Sequence, residues 1–274
     1  MILGSGAISK MQVEHTSPAG YHLSLGEDMV SMNALLGCRI KLEFLNRINC
    51  QHCGRITKKS FAGGYCYPCF KKLAQCDLCV MSPDRCHYAQ GTCREPEWGE
   101  AFCMQPHILY LANSTGLKVG ITRVSQMPTR WLDQGAVQAT ILMRTATRYQ
   151  VGCVEKCLGA FVSDKSNWRH LITRDTDRLD MKAAAQELRE TAAADFEALH
   201  EKFGADLVWE QDAEVFEFHY PVEQYLEKAR TVKLKPDEPI EGTLMGIRGQ
   251  YLILDCGAFN VRSHTAHHIQ LSRI

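Results

Sequence analysis

Nine of the thirteen cysteines in this chain lie between Cys50 and Cys103, and no other feature limits the fold so sharply. The first four read Cys50-Gln-His-Cys53 and Cys66-Tyr-Pro-Cys69, with twelve residues between the pairs. Two short knuckles of this kind bring four thiolates to the corners of a tetrahedron, about 2.3 Å from a Zn²⁺ ion and closed to water. Gly54 and the Gly63-Gly64 pair supply the tight backbone that such a knuckle and its return hairpin need. Disulfides are the competing reading, and thiol buffering in a reducing compartment weighs against them. The spacing predicts a structural zinc on Cys50, Cys53, Cys66 and Cys69.

A second group follows at once: Cys76-Asp-Leu-Cys79, Cys86-His87, Cys93, Cys103 and His107. Cys76, Cys79, Cys86 and Cys93 form the simplest four-thiolate set, and His87, Cys103 or His107 could replace one of them. Four thiolates would also suit an iron–sulfur cluster. A second zinc is the expectation. Between Cys76 and Cys103 there is too little periodic apolar character to fold by burial, and a structural zinc contributes about 10–16 kcal/mol of apparent folding energy.

With 274 residues, 45% hydrophobic and 23% charged, the chain reads as an ordinary soluble protein able to bury a sizeable core. No apolar run approaches a membrane span. The opening MILGSGAISKMQVEH lacks the positive flank and apolar stretch of a signal peptide, so a cytoplasmic location is expected. Formal net charge is zero, but the signs are segregated. Between Glu43 and Asp77 there is no acid, while Arg47, Arg55, Lys58, Lys59, Lys71 and Lys72 are basic; seven acids crowd the stretch from Phe203 to Glu227. Phe61, Tyr65, Tyr67 and Phe70 interleave with the basic residues. Lysines neutralise phosphates while rings stack on unpaired bases, so Arg55, Lys58, Lys59, Lys71 and Lys72 are candidates for binding RNA or DNA. The competing reading is that basic loops solvate a small metal module and the rings pack beneath it.

After the cysteines comes ILYLANSTGLKVG, residues 108–120, which reads as a β-hairpin. A short helix bearing Arg130, Trp131 and Leu132 ends at Gly135, residues 137–144 form a third strand, and residues 148–162 carry a helical stripe of Val151, Val154, Leu158 and Phe161. Glu155 borders that stripe. A packing helix is expected over 181–203, capped by Gly204. Residues 2–48 and 240–272 alternate apolar and polar residues and read as small antiparallel sheets or barrels. His264, His267 and His268 read as part of a solvated C-terminal loop, with metal binding as the alternative. The organisation expected is an N-terminal β unit (1–48), a cysteine-rich zinc-binding module (49–106), a central unit with its following helix (107–205), and an acidic segment with a C-terminal β unit (206–274). The fold class is α+β.

The order ILY, KVG, Arg130, Glu155 and Asn167 resembles the GIY-YIG nuclease fold, a mixed sheet with helices, over residues 107 to about 170. Tyr110 matches the family's first Tyr, Gly120 its closing Gly, Arg130 its helix Arg, Glu155 its Glu and Asn167 its Asn. Lys118 stands where the second Tyr is expected. The whole chain is also similar to an uncharacterised family, domain of unknown function 2797, through stretches such as GYCYPCF, GTCREPEWG, KVGITR, PTRWLDQGA, KSNWR and GQYLILDCGAFNVR.

The nuclease resemblance implies that Glu155 holds one Mg²⁺ or Mn²⁺, which would polarise a phosphoryl oxygen. Tyr110 would position or deprotonate the attacking water and Arg130 would neutralise charge in the transition state. Lys118 could bind phosphate or lower the pKa of Tyr110 across the hairpin. Two functions follow: metal-dependent phosphodiester cleavage delivered by the zinc module, or a non-catalytic, zinc-stabilised protein whose core only grips an RNA or DNA backbone. Tyr110, Arg130 and Glu155 favour the first; Lys118 favours the second.

Overall fold

The computed structural model describes residues 1–162 and 167–274. Lys165 and Ser166 of the KSNWR stretch lie outside the described residues. In chain order, strands β1 (Ile2–Ala7), β2 (Gln12–Glu14), β3 (Gly20–Leu25), β4 (Asp28–Ser31) and β5 (Arg39–Ile48) come first. The cysteine-rich segment follows with only short helices, α1 (Tyr67–Lys72), α2 (Leu78–Met81) and α3 (Pro96–Phe102). The central part runs β6 (His107–Asn113), β7 (Leu117–Arg123), α4 (Thr129–Asp133), β8 (Gln138–Thr145) and α5 (Arg148–Leu158). Then come α6 (Trp168–Thr173), α7 (Met181–Thr191), α8 (Ala193–Phe203), β9 (Leu207–Trp209) and β10 (Val215–Glu217). The chain closes with β11 (Thr231–Val232), β12 (Ile240–Arg248), β13 (Tyr251–Leu254), β14 (Gly257–Asn260) and β15 (His267–Arg273).

The protein is an α+β fold with three sheets among the described residues. Strands from the two ends of the chain share one of them, in the order β1-β15-β5-β12-β13-β14-β11. The second sheet is β10-β8-β6-β7, with β9 also on β8; the third is β2-β3-β4. The strand, strand, helix, strand, helix order read for the central part is present. Its boundaries differ in two places. The helix expected over 148–162 stops at Leu158 because Gly159 follows as its C-cap, and Phe161 is left 42% exposed in the turn beyond. The helix expected over 181–203 is two helices, interrupted at Ala192, whose backbone (φ −97°, ψ 14°) leaves the helical region as its methyl is buried in the core.

Alternation along β6 sends its side chains into two cores. Ile108, Tyr110 and Ala112 pack with Trp131 and Leu132 of α4. Leu109 and Leu111 pack with Val119, Ile121 and the α5 stripe of Val151, Val154 and Leu158. A capping box starts α5: the Gln150 N–H donates to Thr147 Oγ1 and the Thr147 N–H to Gln150 Oε1.

The cysteine-rich segment docks on the outer side of α5. A Cβ on Gly152 would stand 2.4 Å from Pro83 Cβ and 2.9 Å from the Asp84 nitrogen, so only glycine lets the 83–85 turn lie this close. Lys156 pairs with Asp84 at 2.6 Å on the next turn of the helix. Gly152→Ala is therefore expected to push the module away from α5 and destabilise the protein by roughly 1–3 kcal/mol, the usual cost of overpacking. Urea unfolding would read this as a lower midpoint at unchanged slope; a midpoint equal to wild type would mean that the contact yields freely.

Candidate functional site

The four sulfurs of Cys50, Cys53, Cys66 and Cys69 lie within 4.8 Å of one another, two buried, one half-buried and one exposed. Cys53 Sγ and Cys66 Sγ are 3.7 Å apart. Sulfurs at the corners of a tetrahedron about 2.3 Å from zinc stand roughly 3.8 Å apart, so the cluster fits the ion without rearrangement. Gly54, at φ +70°, makes the first knuckle turn, and its N–H donates to the Cys50 carbonyl at 2.9 Å. Burial alone would raise the Cys50 thiol, but N–H donors from Cys53, Cys66 and His52 bring it down to about 6. The same crowding, with burial first, pushes Cys69 up to about 12. Four thiols this close share protons poorly, and a divalent cation is what resolves the conflict. These residues fit a structural zinc.

Asp77, Cys79 and His87 place their ligand atoms within 4.8 Å of one another. The Cys79 thiol is raised to about 11 by burial and by the charges of Asp77, Cys86, Cys103 and Cys93 around it. Cys76, by contrast, is buried, raised by that burial, lowered by Arg94 and raised again by Cys50 of the first cluster.

Tyr110 is fully buried in β6 opposite Gly120 of β7. A Cβ on Gly120 would stand 2.5 Å from the Tyr110 oxygen, so the missing side chain is what lets the ring cross the strand to the β7 edge of the sheet. There the hydroxyl donates to Gln134 Oε1 at 3.0 Å. Burial holds this phenol above its usual range; the Arg130 guanidinium beside it pulls downward, and the Glu155 charge pushes upward again. Arg130 and Glu155 are thus each within electrostatic reach of Tyr110, although α5 packs on the sheet face opposite it. Lys118 is buried and lies across from Ala112, so it shares the Tyr110 face; Lys118 and Glu155 both have partners. The Tyr110 phenol stands above its usual range overall, because desolvation outweighs the neighbouring cation Arg130. Asn167 sits elsewhere: its side chain caps α6 by accepting from the Arg169 N–H, and its own N–H donates to Thr115 Oγ1 in the hairpin corner.

Two residues join this site without having been picked out in the sequence. Gln134 fixes the Tyr110 hydroxyl. Arg148 lies between the second cysteine group and the Tyr110 site, its pKa lowered by burial and raised by Cys103 and Glu155. Its Nη2 donates to the Val80 carbonyl at 2.7 Å and its N–H to the Cys103 carbonyl at 2.8 Å. A cation as the first residue of a helix opposes the helix dipole, and that misfit was the available signal. At the C-terminal end, His264 is buried, stacked on Phe259, and spends Nε2 accepting from the Leu234 N–H; the histidines read as a solvated loop belong to a turn and β15 because Phe259 supplies an apolar seat.

The family described as Protein of unknown function (DUF2797) matches residues 37–269, which takes in the cysteine clusters, the Tyr110 site and all but the end of the C-terminal strands. The chain belongs to that family. No curated protein and no solved structure matches it. Among the described residues, no helix is long and apolar enough to cross a membrane.

Two measurements follow from this geometry. Cys66→Ser should remove one equivalent of zinc by elemental analysis and open residues 50–69 to protease, because the binding energy of the ion is folding energy there; unchanged metal content would dismiss the four-thiolate site. The second concerns His107, buried with Nδ1 against the Gln105 carbonyl at 2.7 Å. Burial, against the weaker effect of that bond, pushes its pKa from 6.5 down to about 4. The unfolded chain takes up this proton below about 6.5 and the folded chain only below about 4, so stability is lost as pH falls through that window, by roughly 3 kcal/mol. Urea midpoints measured across pH 7 to 4 should fall, and His107→Leu should flatten part of that fall; equal slopes in both proteins would contradict it.

Proposed function

We propose that this is a zinc-containing nucleic-acid-binding protein, with the first zinc knuckle presenting a basic, aromatic face to a single strand. The observation that carries the reading is the state of Arg55, Lys58, Lys59, Lys71 and Lys72. All five are exposed, and none enters an ion pair found among the described residues. Cations left without acids on a neutral protein are available to phosphates. The rings divide between the two roles read from the sequence. Phe61 stacks on Phe70 with centroids 5.6 Å apart, a small core beneath the knuckle, whereas Tyr67 remains 55% exposed beside it. A groove of about 820 Å³ lined by Phe70, Lys71, Leu78, Met81, Arg94 and Arg262 continues this face. Asp77 also lines it and pairs with Arg94, so Lys71 and Arg262 are the cations that it offers to a backbone beside its apolar side chains.

A second reading, Mg²⁺- or Mn²⁺-dependent phosphodiester cleavage in the manner of the GIY-YIG fold, draws on the electrostatic reach of Arg130 and Glu155 to Tyr110. A divalent cation on Glu155 would supply Lewis-acid activation of a phosphoryl oxygen. Arg130 would neutralise charge gathering on the phosphate, and Lys118 would add to that field from the same sheet face. Tyr110, buried and kept protonated, would act as a hydrogen-bond donor that positions a group and not as a base.

Fluorescence anisotropy with single-stranded RNA and DNA oligonucleotides across a salt series tests the first reading. Replacing Lys58, Lys59, Lys71 and Lys72 together by Ala should weaken binding and make the log–log salt slope shallower by about 3, given about 0.7 per phosphate on a single strand. An unchanged slope would assign this face to a protein partner. With Mn²⁺ present, Glu155→Gln should abolish any cleavage while leaving affinity within about twofold; wild-type protein that binds and never cleaves retires the second reading alone.

A further inference from the structure

The turn between Gln75 and Arg94 brings three unlike donor atoms to one point: the carboxylate of Asp77, the thiol of Cys79 and the imidazole of His87, all within 4.8 Å of one another and all half-buried. The orientation of His87 is the informative part. Its Nδ1 lies 2.8 Å from Thr92 Oγ1, and that hydroxyl donates its single proton to the His87 carbonyl at 3.3 Å. With the Thr92 proton on that carbonyl, the hydroxyl accepts from Nδ1, which then carries the hydrogen. In a neutral imidazole the lone pair is then on Nε2, which faces Asp77 Oδ2 at 3.5 Å. A lone pair aimed at a carboxylate oxygen is repulsive unless a proton or a cation lies between them.

Asp77 is fixed just as firmly. Its Oδ1 accepts from the Leu78 N–H at 2.6 Å and its Oδ2 from Arg94 Nε at 2.6 Å. Arg94 in turn donates to the Phe70 and Leu73 carbonyls at 3.2 Å, which ties this turn to the helix bearing Cys69. An imidazole whose far nitrogen is anchored, beside a carboxylate held by its own donors, is the outer-shell arrangement that orients metal ligands.

We propose that Asp77, Cys79 and His87 bind a second divalent metal, zinc by donor type, with one coordination position left for water or an external ligand. Oxygen, sulfur and nitrogen together match the donors zinc accepts, and three protein ligands are the pattern of an open site, unlike the closed cluster of Cys50, Cys53, Cys66 and Cys69. The mixed set does not suit an iron–sulfur cluster, which is held chiefly by thiolates. Cys86, Cys93 and Cys103 stand around Cys79 as the rival ligands. The proposal is independent of nucleic-acid binding.

The test uses the full chain, reconstituted with excess zinc, desalted and assayed by elemental analysis. Wild type should hold two zinc ions, Cys66→Ser one, and His87→Ala one. Because His87→Ala could unfold the segment, His87→Cys should restore the second ion with an unchanged circular dichroism spectrum. Thr92→Val, which removes only the anchor of the imidazole, should weaken the second site roughly 10- to 100-fold in competition with a chelating dye. In the cobalt-loaded protein, added azide should change the visible spectrum of wild type and not that of His87→Ala. The proposal is overturned by one zinc or none in wild type. It is equally overturned by two zinc ions in His87→Ala, the loss of one in Cys86→Ser or Cys93→Ser then identifying a four-thiolate site, or by a spectrum indifferent to azide.

Discussion

The guanidinium of Arg248 holds the two larger sheets together. It is fully buried at the end of β12, and donates to the carbonyls of Gly135 (3.1 Å), Ser114 (2.8 Å) and Arg174 (3.2 Å) and to Thr176 Oγ1 (2.9 Å). Tyr220 lies beneath it, 5.4 Å from ring centroid to guanidinium carbon. A buried cation without such partners would cost several kcal/mol, and carbonyl dipoles from three loops offset that here. What it joins matters more than its strength. Ser114 is the corner of the β6–β7 hairpin, and Gly135 ends α4, so one side chain sets where Tyr110 and Arg130 stand relative to each other. Gln250 reinforces the junction by donating to Asp133 Oδ1 at 2.9 Å and to the Met11 carbonyl at 3.1 Å. A five-residue helix such as α4 has no stability of its own, and these contacts hold it.

The opposite side of the central sheet rests on the cysteine-rich segment. The segment from Cys50 to Cys103 buries few apolar side chains, yet it supplies the surface against which α5 is seated, through Pro83 on Gly152, Asp84 on Lys156 and the carbonyls that Arg148 engages. The position of Glu155 is therefore set from two directions, by apolar packing on the sheet and by the 83–85 turn seated on α5.

Much of this was legible because it is local. The four-cysteine spacing, the apolar runs of β6, β7 and β8 and the stripe of α5 all declare themselves within a dozen residues. What was not legible depends on register or on distant pairing. Strand alternation alone could not say that Tyr110 and Lys118 share a face, because that depends on how Asn113 and Leu117 pair across the corner. Nor could spacing show that the Asp77 carboxylate is held by Arg94, seventeen positions away. Nor did the break at Ala192 leave a mark, since alanine is the residue least expected to interrupt a helix.

The sheet shared by the two ends of the chain sets an order of events on the ribosome. Ile2 pairs with Ser272 and Leu42 with Ile240, so β1 and β5 emerge long before the strands they need. Residues 50–69, by contrast, have every ligand of their cluster within twenty positions and can close on a metal as soon as they leave the exit tunnel. The nascent chain would carry an already folded knuckle while its first strands wait unpaired, their edges open to other chains until β12 and β15 arrive. For a molecule built this way, the emergence of β15 is itself a folding step, and its loss would be felt first at β1 and β5.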